Sequence, residues 1–337
     1  MGLDAASAVL VAAYEGPRPT QAEMSFFESE QPAGVTLFRR NVPQNFSELR
    51  ETMSLLQSLM GSSLPAIIAI DQEGGRVSRM RSPFPDLGPP FHIKPQDPSV
   101  APSDLLENYG YILGSSLRSL GINTNFGPVC DILSNPDNIA IGDRCFGEVA
   151  EDVIARAGAF QKGMQASGVK GCLKHFPGQG DASLDTHLHG TVITASYSAL
   201  KSREILPFEA LLPHTSMIMM SHVIYQSVCS KPASLSERWV TDILRGELSY
   251  QGLVVTDDLN MKALPQDDQS WSELICEAVA IGSDLLLVCR DLDKCRLALQ
   301  ALRAKAKQSQ SFSNKLELAA KRVSKLRKTL MVGTRLV

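Results

Sequence analysis

Eight short apolar runs constrain the fold of this chain more than any other feature of its sequence. In each run, apolar side chains follow one another almost without interruption instead of alternating with polar ones. That pattern is typical of parallel strands whose two faces are both covered. We therefore predict eight buried strands, at residues 9–15, 34–38, 66–71, 124–131, 171–176, 216–222, 253–257 and 284–289.

Amphipathic segments separate most of these runs. Residues 45–60 and 236–248 predict helices, and residues 314–330 predict a closing helix on the exterior of the fold. Eight strands with helices between them favour an α/β fold, a single (β/α)₈ TIM-type barrel with its active site at the C-terminal ends of the strands. No G-x-G-x-x-G sequence follows the first run, which argues against a doubly wound dinucleotide-binding sheet.

The length and charge of the chain set further limits. Its 337 residues contain no low-complexity linker, and we expect one barrel domain over residues 1–337. The net charge is −3, so no strong attraction to nucleic acid or to an anionic membrane is expected. The apolar stretch at residues 5–14 is too short to span a bilayer and follows no basic segment. We expect a cytoplasmic monomer without nucleic-acid or membrane partners.

The seven cysteines are scattered along the chain and include no C-x-x-C pair. Several of them lie in apolar runs, which is typical of reduced, buried thiols in a cytosolic protein. The cysteine pattern therefore predicts neither a disulfide framework nor a metal site.

Ionisable residues stand at or directly after most of the predicted strands. A barrel enzyme builds its active site from the carboxyl ends of its strands and from the loops that follow them. Charges also flank strands simply because strands end at solvent, so no single residue of this kind is diagnostic. As a set, they predict a catalytic site at the barrel mouth: Glu15, Arg39, Arg40, Asp71, Asp131, Lys174, His175, His222, Asp257 and Asp258.

The most informative segment is KHFPGQGD at residues 174–181, which continues to DTHLHG at residues 185–190. Here the chain resembles glycoside hydrolase family 3, specifically its bacterial single-domain β-N-acetylglucosaminidase branch. Four further segments match the pattern of that branch in the same order: GVTLF at 34–38 with Arg40 and Asn41, IDQEGGRV at 70–77 with Arg79, GDRCFG at 142–147, and VTDDLNM at 255–261. A chance match of five motifs in the same order over nearly the whole chain is very improbable.

The resemblance implies a retaining glycosidase that removes terminal β-linked N-acetylglucosamine without a cofactor. Such a reaction needs a carboxylate that attacks the anomeric carbon and a second group that protonates the leaving oxygen and then activates water. Asp257 corresponds to the nucleophile of the family, which directly follows a Ser or Thr. Successive strand residues point to opposite sides, so we expect Asp257, and not Asp258, to face the sugar.

The acid/base implied by the resemblance is an Asp-x-His pair, here Asp185 and His187. An imidazole with a pKa near ~6.5 can donate and accept a proton at neutral pH, and a carboxylate on its other nitrogen fixes the tautomer. Without the surrounding motif, a loop histidine without a catalytic role would be the more frequent interpretation. Small residues in this loop, among them Gly178, Gly180 and Ala182, predict a loop that moves and brings His187 in when sugar is bound.

Five further residues correspond to family positions that hold the terminal sugar's hydroxyl groups or orient the ligand: Asp71, Arg79, Arg144, Lys174 and His175. Carboxylates accept hydrogen bonds from sugar hydroxyls, whereas Lys and Arg donate to them. Each of the five is also a candidate for a salt bridge within the mouth. Asp131 and His222 are expected in the mouth without an assigned role. Many relatives have His where this chain has Gln179, which leaves the loop conformation and the leaving-group preference open.

Other functions stay open at this point. His187 and His189 form an H-x-H pair that could hold a metal ion in an amidohydrolase barrel, although such a pair usually closes the first strand. A barrel that only binds cell-wall sugar would lack the nucleophile or the acid/base. Within the family, phosphate could replace water in the second step, which would make the enzyme a phosphorylase. The substrates implied are imported N-acetylglucosaminyl-anhydromuramyl peptides, in peptidoglycan recycling.

Overall fold

The computed structural model describes residues 4–61, 63–182, 191–289 and 291–330. Its main sheet is parallel, and each of the eight predicted runs contributes a strand to it, which confirms the predicted strands. In chain order the strands are β1 (Leu10–Ala12), β2 (Gly34–Leu37), β3 (Ile67–Ile70), β4 (Thr124–Asn125), β5 (Lys170–Gly171 and Leu173–Phe176), β6 (Met217–Met220), β7 (Leu253–Asp258) and β8 (Leu285–Leu287).

The sheet closes on itself. Strands β1 to β4 pair with their neighbours in chain order, and β8 pairs with β1. The first segment of β5 pairs with β4, at Lys170 and Thr124, whereas its second segment pairs with β6, at Leu173 and Ile218. Strand β7 lies between β6 and β8. The result is the (β/α)₈ barrel that the order of strands and helices predicts.

Helices lie between the strands and around the barrel. The α-helices are Ala5–Ala8, Gln21–Glu30, Phe46–Met60, Pro102–Ser119, Ala150–Ala166, Tyr197–Ser202, Leu206–Leu211, Asp268–Ala280, Leu292–Gln308 and Gln310–Thr329. A helix of the π type spans Arg238–Glu247, and 3₁₀ turns are Arg39–Asn41, Pro90–His92, Gly142–Arg144, Leu212–His214 and Ala233–Leu235. Two short ladders lie outside the barrel: Gln72–Gly74 with Val77–Ser78, and Val192–Ile193 with Ile224–Tyr225.

Two helices predicted from amphipathic spacing are confirmed. Phe46–Met60 begins where the side chain of Asn45 accepts a hydrogen bond from the amide of Ser47, so this residue satisfies an amide that the first helical turn leaves unpaired. Arg238–Glu247 lies inside the second predicted segment. Both helices bury their apolar face, as the spacing predicts.

Alternate residues of the strands face two different cores. In β3, Ile68 and Ile70 belong to the large cluster that includes the surrounding helices, whereas Ile67 and Ala69 belong to the cluster inside the barrel. Strand residues such as Val255 continue that inner cluster, so the barrel is filled with side chains and is not a pore. The filled interior forms a floor below the carboxyl ends of the strands.

The closing helix, Gln310–Thr329, begins earlier than the predicted residue 314. The hydroxyl of Ser309 caps its first turn by accepting from the amide of Phe312, a signal that apolar spacing does not carry. Val323 and Leu326 join the inner cluster of the barrel. The helix therefore covers the N-terminal end of the barrel from outside, away from the carboxyl ends of the strands.

Two further features are the apolar character of the helices and the state of the cysteines. Within the described ranges, the structure contains no helix with the length and apolar character that crossing a bilayer requires. All seven cysteines are described, each carries a free thiol, and most of them are buried. Their burial agrees with the apolar surroundings seen in the sequence.

Candidate active site

A cleft of about 590 Å³ opens at the C-terminal end of the barrel. Six of the eight predicted site residues line it: Asp71, Arg79, Arg144, Lys174, His175 and Asp257. Asp185 and His187 lie outside the described residues. Ala182 and Thr191, the described residues on either side of that segment, both line the cleft.

An ion pair between Lys174 and Asp71 forms part of the cleft floor. The ammonium nitrogen of Lys174 donates to Oδ1 of Asp71 at 2.8 Å, and Nη2 of Arg79 donates to Oδ2 at 2.9 Å. Burial alone would raise the pKa of Asp71, but the two cations outweigh burial and hold that pKa below its usual value. Asp71 is therefore a carboxylate at neutral pH, with each oxygen oriented by a cation.

Glu73 is a site residue that was not predicted. Its carboxylate is nearly inaccessible to solvent and accepts hydrogen bonds from Nε and Nη2 of Arg144 at 2.8 and 2.9 Å. The ammonium nitrogen of Lys174 lies 2.5 Å from its Oε1. Burial would raise the pKa of Glu73, but Lys174 and Arg144 outweigh it and hold that pKa well below its usual value. Glu73 thus joins both cations in one charge network and fixes their positions.

Glu73 lies on the outgoing arm of a tight hairpin. Gln72–Gly74 is one arm of an antiparallel ladder, and Gly74 and Gly75 turn the chain with φ angles of 109° and 59°. A Cβ on Gly75 would lie 2.8 Å from Cγ of Pro89, so a larger residue would clash. The doubled glycine directly after an acid at a strand end was the available signal, because it predicts a tight return of the chain.

Asp131, for which no role was assigned, holds His175 in place. Oδ2 of Asp131 lies 2.7 Å from Nδ1 of the His175 ring, and the same carboxylate accepts from the backbone amide of His175. The amide of Gln179 donates to Oδ1 of Asp131 at 2.8 Å. Asp131 is fully buried, so these donors replace the water that its carboxylate loses. The structure gives Asp131 the role of orienting the histidine and the loop behind it.

The loop after β5 is closely packed as far as Ala182. Gly178 has a φ of 112°, and a Cβ there would lie 2.9 Å from Cβ of Glu204. A Cβ on Gly180 would lie 1.5 Å from the carbonyl oxygen of Ile132. These glycines permit close packing over this part of the loop, and the motion expected from them stays a prediction. The remainder of that prediction concerns residues outside the described ranges.

Asp257 and Asp258 both line the cleft, and the expectation that Asp257 rather than Asp258 faces the sugar stays a prediction. The ladder between β7 and β8 shifts register between Val255 and Asp258, and this bulge breaks the alternation of side chains at the strand end. Asp258 is engaged, because its Oδ1 accepts from the amides of Asn260 and Cys289, at 3.1 Å each.

The carboxylate of Asp257 is less engaged than that of Asp258. Its Oδ1 accepts from the backbone amide of Asp258 at 2.8 Å. Within the described ranges, its second oxygen has no hydrogen-bond partner. Burial raises the pKa of the Asp258 carboxyl. Each carboxylate therefore keeps an unpaired Oδ2 among the described residues, but Asp257 accepts one hydrogen bond where Asp258 accepts three.

His222 lies at the cleft wall with both ring nitrogens in use. Nε2 is 3.2 Å from the carbonyl oxygen of Asp258, and Nδ1 is 2.6 Å from the hydroxyl oxygen of Ser234. A carbonyl oxygen only accepts, so Nε2 carries the proton and Nδ1 accepts from Ser234. Burial lowers the pKa of His222 although Asp257 partly offsets this, so the ring is neutral at pH 7. The arrangement supports the wall and leaves no nitrogen for proton transfer.

Comparison with known protein families decides between the enzyme classes that the residues left open. The model of the glycosyl hydrolase family 3 N-terminal domain matches residues 3–326. The chain belongs to glycosyl hydrolase family 3. The predicted family is thereby confirmed, and the chain is a glycoside hydrolase and not an amidohydrolase.

Relatives of this family 3 chain are similar over most of its length. A β-hexosaminidase of Stenotrophomonas maltophilia (strain K279a) is 34% identical over 287 residues, which cover 83% of each chain. The solved family 3 β-N-acetylglucosaminidase from Paenibacillus sp. str. FPU-7 has a TM-score of 0.89 and 29% identity, covering 100% of this chain and 64% of that one. NagZ from Neisseria gonorrhoeae, solved with N-trifluoroacetyl-D-glucosamine, has a TM-score of 0.75 and 28% identity, covering 94% and 98%.

Proposed function

We propose that this family 3 enzyme is a retaining β-N-acetylglucosaminidase, which removes terminal non-reducing N-acetylglucosamine through a covalent glycosyl–aspartate intermediate. The observation that carries the proposal is the carboxylate of Asp257. It stands at the cleft end of β7, with one oxygen unpaired among the described residues. The same cleft contains an ion-paired floor suited to a neutral sugar.

Asp257 has the properties of a nucleophile. The hydrogen bond from the amide of Asp258 to Oδ1 orients its carboxylate and leaves Oδ2 for the anomeric carbon. A strand end is a rigid support for a group that must be aimed at one carbon. Asp258, by contrast, accepts three hydrogen bonds on its Oδ1, from Asn260 and Cys289, which tie its carboxylate to the following loop. We therefore assign attack to Asp257 and support of the following loop to Asp258.

The terminal sugar is proposed to bind on the charge network. Sugar hydroxyls both donate and accept, so carboxylates and cations side by side suit them. Asp71 accepts from the sugar, and Lys174, Arg79 and Arg144 donate to it. These groups are already paired at 2.8 to 2.9 Å, so they lose little freedom when the sugar arrives. His175, held through Nδ1, presents Nε2 to the ligand.

Asp185 and His187 are proposed as the acid/base pair. Their support is the family motif and the fact that the described residues on both sides of their segment line the cleft. His222, which lines the cleft, has both ring nitrogens engaged. His175 is held through Nδ1, and its Nε2 is already assigned to binding of the sugar. A histidine from the remaining segment therefore suits the acid/base role better.

The names of the relatives suggest the substrate. One is a β-hexosaminidase and another a β-N-acetylglucosaminidase. We propose that the substrates are N-acetylglucosaminyl-anhydromuramyl peptides and that the enzyme acts on them in cytoplasmic peptidoglycan recycling. We propose further that it is a monomer of one domain that needs no cofactor and has no nucleic-acid or membrane partner. The free, mostly buried thiols agree with a reducing compartment.

Paired chromogenic substrates test the sugar specificity. The enzyme should cleave 4-nitrophenyl β-N-acetylglucosaminide with a kcat/KM at least about a hundred-fold above that for the β-glucoside, because a site that hydrogen-bonds the acetamido group rejects a sugar without it. Equal values for the two substrates would show that nothing in the site recognises the acetamido group.

The first product tests the mechanism and the acceptor. NMR should detect the β anomer of N-acetylglucosamine first, as a double displacement requires. An initial α anomer would indicate inversion and rule out the glycosyl–aspartate intermediate. In phosphate buffer, accumulation of the sugar 1-phosphate instead of free sugar would make the enzyme a phosphorylase, the alternative within the family.

A further inference from the structure

The rim of the cleft contains a lysine that the proposed sugar site does not use. Lys262 lines the cleft and is exposed. It forms no ion pair and no hydrogen bond with any residue that the structure describes. The other cations that line the described part of the cleft are each paired with Asp71 or Glu73: Arg79, Arg144 and Lys174.

The loop that carries Lys262 has a defined backbone. The amide of Met261 donates to the carbonyl of Asp258 at 3.0 Å, and the amide of Leu264 donates to the carbonyl of Met261 at 3.0 Å. The side-chain amide of Gln266 donates to the carbonyls of Leu264 and Met261 at 2.7 and 3.0 Å. These bonds hold Lys262 at a fixed place on the rim, shortly after the strand that ends in the proposed nucleophile.

The shape of the cleft decides which part of the substrate reaches this rim. The filled barrel closes the cleft from below, so a terminal sugar on the charge network can extend only toward the open mouth. The side chain of Lys174 in the floor is 3% exposed, whereas Met261 on the rim is 41% exposed. Met261 and Lys262 are exposed residues at that mouth, and they offer an apolar surface and a cation side by side.

We propose that Met261 and Lys262 form the leaving-group site, and that Lys262 selects leaving groups that carry a carboxylate. This inference rests on the proposed β-N-acetylglucosaminidase function. Lys262 takes no part in bond cleavage; it lowers KM for an anionic leaving group through an exposed ion pair. Exposed pairs of this kind change an equilibrium by roughly two- to five-fold, so the effect is one of specificity.

The test compares two disaccharides that differ at one substituent. N-acetylglucosaminyl-β-1,4-N-acetylmuramic acid carries a lactyl carboxylate, whereas N,N′-diacetylchitobiose is neutral. Lys262→Met should lower the ratio of kcat/KM for the anionic over the neutral disaccharide about two- to five-fold, and Lys262→Glu should lower it further. Lys262→Arg should retain it. In wild type, ionic strength of about 1 M should reduce the preference, because salt screens an exposed pair.

Lys325→Met is the matched control, because Lys325 is an exposed lysine on the closing helix at the other end of the barrel. It should leave the ratio unchanged. An unchanged ratio in both Lys262→Met and Lys262→Glu would overturn the role of Lys262, while wild-type cleavage of the nitrophenyl β-N-acetylglucosaminide would leave the proposed function standing. Failure of the wild type to cleave that substrate would overturn the proposed function, and the leaving-group site with it.

Discussion

Asp131 holds His175 at two points: its Oδ2 lies 2.7 Å from Nδ1 of the ring, and its carboxylate accepts from the backbone amide of the same residue. Burying a carboxylate is costly unless donors surround it, and here the donors come from the end of β5 and from the loop after it. Asp131 itself does not line the cleft. The orientation of a proposed sugar-binding ring therefore depends on an acid behind the wall.

Asp131→Asn should raise KM for 4-nitrophenyl β-N-acetylglucosaminide about ten- to hundred-fold, with a smaller effect on kcat. An amide cannot accept from every donor that the carboxylate serves, so the ring of His175 loses its orientation. Steady-state kinetics with thermal melting measure the two effects. Asp143→Asn removes only a partly exposed pair with Arg76 and is the control. An unchanged KM in the folded Asp131→Asn variant would contradict the orienting role.

Glu73→Gln should lower the free energy of unfolding by about 3 kcal/mol, because it leaves Lys174 and Arg144 buried without their shared counter-charge. Denaturant titration measures this loss. Glu51→Gln is the matched control, since Glu51 pairs with Arg18 at the surface and should contribute little. Equal losses in the two variants would show that the buried network does not stabilise the fold.

The same carboxylate makes stability depend on pH. The pKa of Glu73 lies well below the ordinary value of 4.5, so its stabilising contribution is complete above pH 4.5 and is lost as the pH falls toward the folded pKa. Below pH 4.5, wild type should therefore lose stability more steeply than Glu73→Gln, which cannot take up this proton. Denaturant titrations at a series of acidic pH values give the two slopes, and parallel slopes would contradict the lowered pKa.

Asp257→Asn should reduce turnover by about 10⁴-fold or more, because an amide cannot form the glycosyl ester. Asp258→Asn is the matched control: its Oδ1 can still accept from the amides of Asn260 and Cys289, so most activity should remain. A fluorinated glycoside that slows the second step should label Asp257. Mass spectrometry that finds the label on Asp258 would reverse the assignment.

The strand-end residues of the site could be predicted because parallel strands carry their carboxyl ends to one edge of the barrel. Asp71, Lys174, His175 and Asp257 meet there for that reason. Glu73 could not be placed in the same way, because it lies beyond the end of β3, on the outgoing arm of a hairpin. The doubled glycine after Glu73 indicates a turn but not where the side chain before the turn points.

Two other features depend on register, which the apolar pattern does not specify. Asp131 meets His175 across the junction of β4 and β5, where Val129 bridges to Lys174 beyond the paired part of β4. The two acids at the end of β7 share the cleft because a bulge interrupts the alternation. Local composition specifies that a strand exists, whereas these offsets arise from how neighbouring strands pack.

His187→Ala should be most damaging where the leaving group is poor. A nitrophenolate departs with little protonation, whereas the hydroxyl oxygen of a leaving sugar needs a proton. Activity on N,N′-diacetylchitobiose should therefore fall at least about a hundred-fold, and activity on the nitrophenyl glycoside should fall much less. Asp185→Ala should show the same trend more mildly, because the imidazole remains but loses its orienting partner. Azide, which needs no base, should restore part of the His187→Ala rate on the nitrophenyl substrate.

His222→Ala is the comparison. Both ring nitrogens of His222 are engaged in the wall, so this variant should lose activity by the same factor on both substrates, and azide should not restore it. If His187→Ala instead behaved in that way, the acid/base would have to be another residue of the cleft.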